Sequence, residues 1–252
     1  MGADMAITRD IDRYKEFLKL AKSARDKSEL DSPNSLEWKV ASDLKHNPHL
    51  FLLACIAMRQ VTAERAWAIP LHIKNTIGTT SFKRLCELKE KEWQRILKGT
   101  GHRYYKQLAR DYPLALQKIK VQYKSRADNI WNNEPSSYTV MIRLRDFDGV
   151  GPKIAAMTLD ILVRHLNVKL SDYSALDIAP DVHVRRVMHR LGLIPRSDSN
   201  EIVIMKAREM NPTYPGIFDS LFWKTGRDFC HPTKPNCGAC PLQKNCNFAN
   251  LG

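Results

Sequence analysis

The sequence predicts an all-α protein, and three observations predict it. Apolar residues recur at helical spacing in segment after segment. No stretch alternates apolar and polar residues as a half-buried strand does, and there is no tandem repeat or low-complexity segment. Glycine and proline fall between the periodic segments, where chain reversals are needed. Taken in order, Ile11, Tyr14, Phe17, Leu18 and Ala21 form a stripe on a helix over 11–28. A loop cluster follows at 31–35, then a short helix over 36–44 and a break at His46-Asn47-Pro48. The next helix, 50–58, is almost wholly apolar and reads as a buried central element. From Thr62 to Trp131 the pattern stays helical, punctuated by Pro70, Gly78 and Gly99-Thr100-Gly101, with a helix over 104–112.

The most informative stretch is Phe147-Asp148-Gly149-Val150-Gly151-Pro152-Lys153. Val140, Met141 and Leu144 mark one helix face before it, and Ala155, Leu159, Leu162, Val163 and Leu166 mark another after it. Glycine reaches positive φ without steric penalty, so the first helix can end and the chain reverse tightly. Proline suits the first turn of the next helix, where its missing N–H is no loss. The expected unit is a helix-hairpin-helix whose amides at 149–151 are left free at the positive end of a helix dipole, a seat for a phosphate oxygen. A plain helical corner has the same turn.

Charge points the same way. The 252 residues carry 40 Lys+Arg against 27 Asp+Glu, a net charge of +13, which favours a polyanionic partner without choosing between DNA, RNA and an acidic membrane. No run of about 18 apolar residues offers a membrane span, and the N-terminus lacks a signal-peptide core. Met1-Gly2 opens like an acylation site, but Ala6 stands where Ser or Thr is required. The chain reads as intracellular, in cytoplasm or nucleoid if prokaryotic, and as a monomer without a membrane partner. The stretch Lys98 to Lys106, with Arg103 and Lys106, combines glycine breaks, cations and aromatics, as a backbone-binding loop or equally a solvated helix start does.

Six cysteines could suggest a disulfide protein, but four crowd between 230 and 246 while Cys55 and Cys86 lie in helical contexts as small core residues. Cys230, Cys237, Cys240 and Cys246 have the spacing C-x6-C-x2-C-x5-C. Four thiols within 17 residues of an intracellular chain point to metal. A structural zinc site usually shows two short cysteine pairs, whereas here only Cys237 and Cys240 are close. The longer intervals suit a cubane held by one loop.

Gly149-Val150-Gly151-Pro152-Lys153, Pro180-Asp181-Val182-His183-Val184-Arg185-Arg186-Val187 and the cysteine spacing together resemble the helix-hairpin-helix DNA glycosylase superfamily, in its endonuclease III-like branch. The resemblance covers most of residues 45–247. It implies two helical lobes: a six-helix bundle over 48–166 ending in the hairpin, and a lobe joining 1–47 to 167–252 and carrying a [4Fe-4S] cluster on the four cysteines. It implies a groove between them for double-stranded DNA holding a damaged or mismatched base or an abasic site. Lys153 then falls on the catalytic lysine and Asp181 on the catalytic aspartate. Gln60 falls on the residue that fills the gap left by a flipped base, beside Arg59 as a phosphate or base contact. Gly149, Val150, Gly151, His183 and Arg185 fall on DNA contacts. For Gln60 the ordinary alternative is a polar cap at the end of a buried helix.

The implied activity is base excision with AP lyase strand cleavage through a lysine Schiff base. A monofunctional mismatch-type glycosylase and a catalytically silent iron-sulfur DNA-binding protein are the alternatives. Two departures bear on which base is removed. The segment 167–179 is longer than the link in endonuclease III, and Phe147-Asp148 replaces the usual Leu-Pro before the glycines. Asp177 also stands close enough to compete with Asp181 for the aspartate role.

Overall fold

The computed structural model describes residues 2–26, 35–196 and 199–250, with side chains in the first helix described over 11–23. Among the described residues there are thirteen α-helices and no strand. They are α1 (Gly2–Asp26), α2 (Leu36–Ala41), α3 (Pro48–Ile56), α4 (Ala63–Ile77), α5 (Phe82–Glu87), α6 (Glu90–Lys98) and α7 (Tyr105–Gln122). Then come α8 (Ser137–Arg145), α9 (Pro152–Arg164), α10 (Val182–Arg190), α11 (Asn200–Met210), α12 (Asp219–Asp228) and α13 (Asn247–Asn250). The chain divides into two compact units, Glu29–Ser171 and Met1–Ser28 with Asp172–Gly252.

The unit Glu29–Ser171 is built around α3, every residue of which is buried. Pro48 opens it without losing a hydrogen bond, since the first amide of a helix has no internal partner. Each leucine or isoleucine so covered contributes about 1.5–3 kcal/mol relative to exposure. Aromatic rings close the core: Phe51 stacks on Trp67 at 6.1 Å, and Trp38 of α2 meets Trp67 edge-on at 4.8 Å. Cys55, on this helix, has no exposure, and burial pushes its thiol up to about 12, which leaves it inert.

Two elements run longer than their sequence suggests. Helix α4 continues through Pro70 and α7 through Pro113, where the reading had placed a break and a helix end. A proline inside a helix removes one hydrogen bond, but both helices have an apolar face to bury, and packing outweighs that loss. Pro70 is itself buried. At Gly78 the reading holds, because α4 ends there with φ 74°. The loop expected at 31–34 lies outside the described residues.

In the unit Met1–Ser28 with Asp172–Gly252, α1 is tied to the C-terminal segment. Phe17 meets Phe222 of α12 edge-on at 6.0 Å, and Arg13 donates to the carbonyls of Leu191 at 2.6 Å and Asn245 at 3.0 Å. The long segment before α10 packs by Leu176 and Ile178, both nearly fully buried, while Tyr173 stacks on Tyr214 at 5.3 Å.

Three histidines of the unit Glu29–Ser171 make acid sensitivity an expected property. Burial pushes His49 and His102 down, and pushes His165 down to about 4 with Arg164 adding to the effect. A depressed histidine is kept neutral by the fold, so the unfolded chain takes up protons first as pH falls below about 6.5. The stability from these residues is complete above that value and is lost between about 6.5 and about 4, above the range where carboxylates protonate. The melting temperature of the whole chain should therefore fall steadily across that window, and a flat profile by differential scanning calorimetry would contradict it.

Candidate nucleic-acid interface and cysteine loop

Helix α8 starts at Ser136, whose hydroxyl accepts the Thr139 amide at 3.1 Å. It ends in a turn braced from α7. The Lys118 amine lies 2.8 Å from the Asp146 carboxylate and 5.4 Å from the centre of the Phe147 ring, which stacks on Tyr123. Only one of the two glycines is needed for its backbone. Gly149 has φ 83°, whereas Gly151 is extended at φ −79° and caps α9. The Val150 amide turns inward to the Phe147 carbonyl at 3.0 Å, so it is not available outside, and its side chain is buried. The amides of Gly149, Gly151, Lys153 and Ile154 have no partner among the described residues. Four donors thus gather at a turn and a helix start, which is the arrangement that holds an oxyanion.

The glycines differ in what a side chain would meet. A Cβ on Gly149 would stand 2.0 Å from Arg59 Nη2 and 2.9 Å from Asp111 Oδ2, whereas one on Gly151 would meet nothing within 4 Å. Gly151 therefore lacks both a conformational and an internal steric reason to be glycine, and the space beside it is open. Gly149→Ala should cost roughly 1–3 kcal/mol of stability through strain and a displaced ion pair, while DNA affinity per folded molecule changes little. Gly151→Ala should cost at most about 1 kcal/mol as a poorer helix cap, yet weaken duplex binding by roughly 1–3 kcal/mol if one charged hydrogen bond is lost. Thermal melting beside anisotropy titration separates the two, and a Gly151→Ala protein that binds duplex normally would remove the turn from the interface.

Lys153 sits one residue inside α9, exposed, its amine without a partner among the described residues. Arg59 is placed differently from the reading: its Nη2 pairs with Asp111 at 3.0 Å, and the pair packs against Gly149, so it braces the hairpin turn. Gln60 is exposed and has φ 52°, a left-handed conformation uncommon for a residue with a side chain. The Tyr104 hydroxyl donates to its Oε1. Arg103 lies over the Tyr104 ring, its Cζ 5.0 Å from the centre, and Lys106 is exposed on the first turn of α7. Nothing in the residues around it singles out His102. It is buried at 1 % exposure, accepts the Tyr104 amide on Nδ1 at 3.1 Å, and so carries its proton on Nε2, donating to the Ala57 carbonyl at 2.9 Å.

Asp181 belongs to the other unit. It caps α10: Oδ1 accepts the Val184 amide at 2.7 Å, and Oδ2 has no partner among the described residues. Asp177, its competitor, is held by both oxygens, at 2.7 Å each from Nε and Nη2 of Arg208. Asp177 thus has both oxygens held, whereas Asp181 has one. His183 packs edge-on to Trp223 at 6.3 Å, in a space left open because a Cβ on Gly226 would come within 2.6 Å of it. Arg185 donates to Asn200 at 2.8 Å.

The far side of α10 holds the cysteine loop. Arg186 donates to the carbonyls of Cys230 at 2.6 Å and Gly226 at 2.8 Å. Arg190 donates to the Cys230 sulfur at 3.3 Å and to the carbonyls of His231 and Pro232. These arginines were also missed, although their separation of four puts both on one helix face, a sign legible in the sequence. Cys230, Cys237, Cys240 and Cys246 line one cavity with Arg190, Phe229 and Phe248. Burial pushes the Cys240 thiol up, and its three fellow cysteines push it further. Among the described residues no three His, Cys, Asp or Glu side chains converge as a single metal ion requires. The four thiols lining that cavity are soft donors of the kind a metal group would use.

The described architecture is similar to solved structures of DNA glycosylases. One is endonuclease III in a non-covalent DNA complex, with 20% identity, a TM-score of 0.55, and 94% of this chain and 97% of that one covered. Another is a thermostable thymine-DNA glycosylase, with 17% identity, a TM-score of 0.60, and 96% and 98% covered. A trapped endonuclease III–DNA covalent intermediate gives 19% identity and a TM-score of 0.53, with 93% and 97% covered. The chain thus shares the all-α fold of these solved structures. No family model and no curated protein matches it. Among the described residues no helix is long and apolar enough to cross a membrane.

Proposed function

We propose that this chain is a base-excision DNA glycosylase with AP lyase activity, acting on duplex DNA that contains a damaged or mismatched base. The observation that supports the reading is the hairpin: a bare Gly151, four amides and a Lys153 amine without partners among the described residues lie close together along the chain. A phosphate clamp needs the first two, whereas the amine beside them adds a nucleophile.

The target nucleotide is first turned out of the stack. The Lys153 amine attacks C1′ of its deoxyribose as the C1′–N bond breaks, the bonding pair leaving with the base, which takes up a proton. Asp181 stabilises the positive charge that builds on the sugar. One proton passes from the nitrogen to the ring oxygen O4′ as the C1′–O4′ bond breaks, which leaves an open-chain protonated Schiff base. Loss of the C2′ proton then expels the 3′ phosphate and cuts the strand.

Cys230, Cys237, Cys240 and Cys246 would hold a [4Fe-4S] cluster, whose contribution is to fix the loop and so present Lys234 and Lys244 to the DNA backbone. Arg186 and Arg190 join that loop to the helix that Asp181 begins. Protein purified without oxygen should be yellow-brown with about four irons per chain, and Cys237→Ser should lose colour and most soluble yield. One zinc in a colourless protein would remove the cluster.

The test of function is a panel of duplexes each carrying one modified or mismatched base, scored for strand cleavage with and without alkali. Cleavage without alkali supports the bifunctional reading, and cleavage only after alkali the monofunctional one. Tight binding with neither leaves a DNA-binding protein without catalysis.

A further inference from the structure

We propose that Tyr104 is a positioning residue for Gln60, holding the glutamine side chain in the orientation with which it fills the space left by an extruded nucleotide. The inference rests on the base-excision reading and adds to it a residue that never needs to touch DNA.

Gln60 is exposed, and its backbone lies in a left-handed conformation at φ 52°. Such a conformation is unfavourable for a residue with a side chain, and persists where its surroundings fix it. The surroundings here form one chain of bonds. The carbonyl of Ala57, at the C-terminal end of α3, accepts from His102 Nε2. Nδ1 of the same ring accepts the Tyr104 amide, and the Tyr104 hydroxyl donates to Gln60 Oε1. The loop at Tyr104 is thereby tied to a buried helix, and Gln60 is tied to the loop. With Oε1 engaged by a donor, the amide cannot turn over freely, and its two N–H groups are the polar atoms left for an incoming strand. A glutamine without this bond would sample several rotamers at similar energy, and inserting it would first require ordering it. Arg103, lying over the Tyr104 ring at 5.0 Å, sets a cation beside the same edge, where phosphates flanking a gap would pass.

The experiment uses the full chain and a duplex containing one tetrahydrofuran, an abasic analogue that no lyase can cut, with 2-aminopurine as the base opposite. Wild type should bind this duplex more tightly than an intact one and change the 2-aminopurine fluorescence as glutamine enters the stack. Tyr104→Phe keeps the ring and removes only the hydroxyl. It should weaken binding to the tetrahydrofuran duplex about five- to tenfold, the worth of one neutral hydrogen bond, and reduce the fluorescence change. Binding to intact duplex should stay unchanged. In a Gln60→Ala background the same substitution should have no further effect, because nothing is left to position. An unaltered Tyr104→Phe protein, or an equal loss with and without the Gln60 side chain, overturns the positioning role alone. A wild type that does not distinguish the two duplexes overturns the base-excision reading and this role with it.

Discussion

Borohydride is expected to trap the wild-type protein covalently on DNA with an abasic site, and Lys153→Gln to leave no adduct and no strand cleavage. Only a Schiff base between an amine and C1′ can be reduced to a stable bond under these conditions, so the trap reads the nucleophile directly. The drop in cleavage should be on the order of 10³-fold or more, as when a nucleophile that works within a unit is removed. Little else should change. Lys153 is exposed and its amine has no hydrogen-bond or ion-pair partner among the described residues, so its loss should leave packing intact and the melting temperature close to wild type. DNA binding should weaken only slightly, because one cation is lost from a chain carrying 40 Lys+Arg. A Lys153→Gln protein that still traps would move the nucleophile elsewhere, with the exposed Lys169 the next to replace. If it released base at the wild-type rate yet never cut, attack by water would be the better description.

What the sequence showed and what it hid divide along a physical line. Helix α3 was legible because nothing but burial explains a run like Leu50 to Ile56, and α8 and α9 because their apolar residues keep one face. The interior prolines of α4 and α7 misled because a local rule was overruled by packing that the local sequence does not display. Pairings across long separations were hidden for the same reason. Nothing near Arg59 announces Asp111, 52 positions on, so a guanidinium that looked free for phosphate proves to brace the turn. The tie between Gln60 and Tyr104 spans 44 positions and was equally out of reach. What distinguishes Asp177 from Asp181 was equally distant, since Arg208, 31 positions on, engages only the first of the two. Residues with chemistry of their own, the four cysteines and Lys153 after its glycines, could be singled out by type and spacing alone; the structure sets the cysteines around one cavity and leaves Lys153 exposed at the start of α9.

Asp181→Asn should slow base release by about 10²-fold or more while leaving the helix it begins in place. The structure makes this substitution more informative than the usual alanine. Asp181 would have two roles at once: Oδ1 caps α10 through the Val184 amide, and Oδ2, without a partner among the described residues, would face the positive charge of the proposed mechanism. Asparagine caps a helix about as well as aspartate, so the first role survives, at a cost of a few tenths of a kcal/mol for the lost charge at the helix dipole. The second role does not survive, because a neutral amide stabilises an oxocarbenium-like sugar far less than a carboxylate; removing one preorganised electrostatic partner costs on the order of 10²–10³-fold. Asp181→Ala should show the same kinetic loss plus about 1 kcal/mol of destabilisation from the missing cap. Because α10 also carries Arg186 and Arg190, that second loss should extend to the cysteine loop and appear as lower iron content, which Asp181→Asn should keep. On a preformed abasic site both variants should be less impaired than on an intact damaged base, since no base has to leave. Asp177→Asn is the control: it breaks a surface pair worth at most about 1 kcal/mol and should release base normally. If Asp177→Asn rather than Asp181→Asn stops base release, the carboxylate assignment is wrong. If Asp181→Asn and Asp181→Ala lose activity only in step with stability, Asp181 is a helix cap and nothing more.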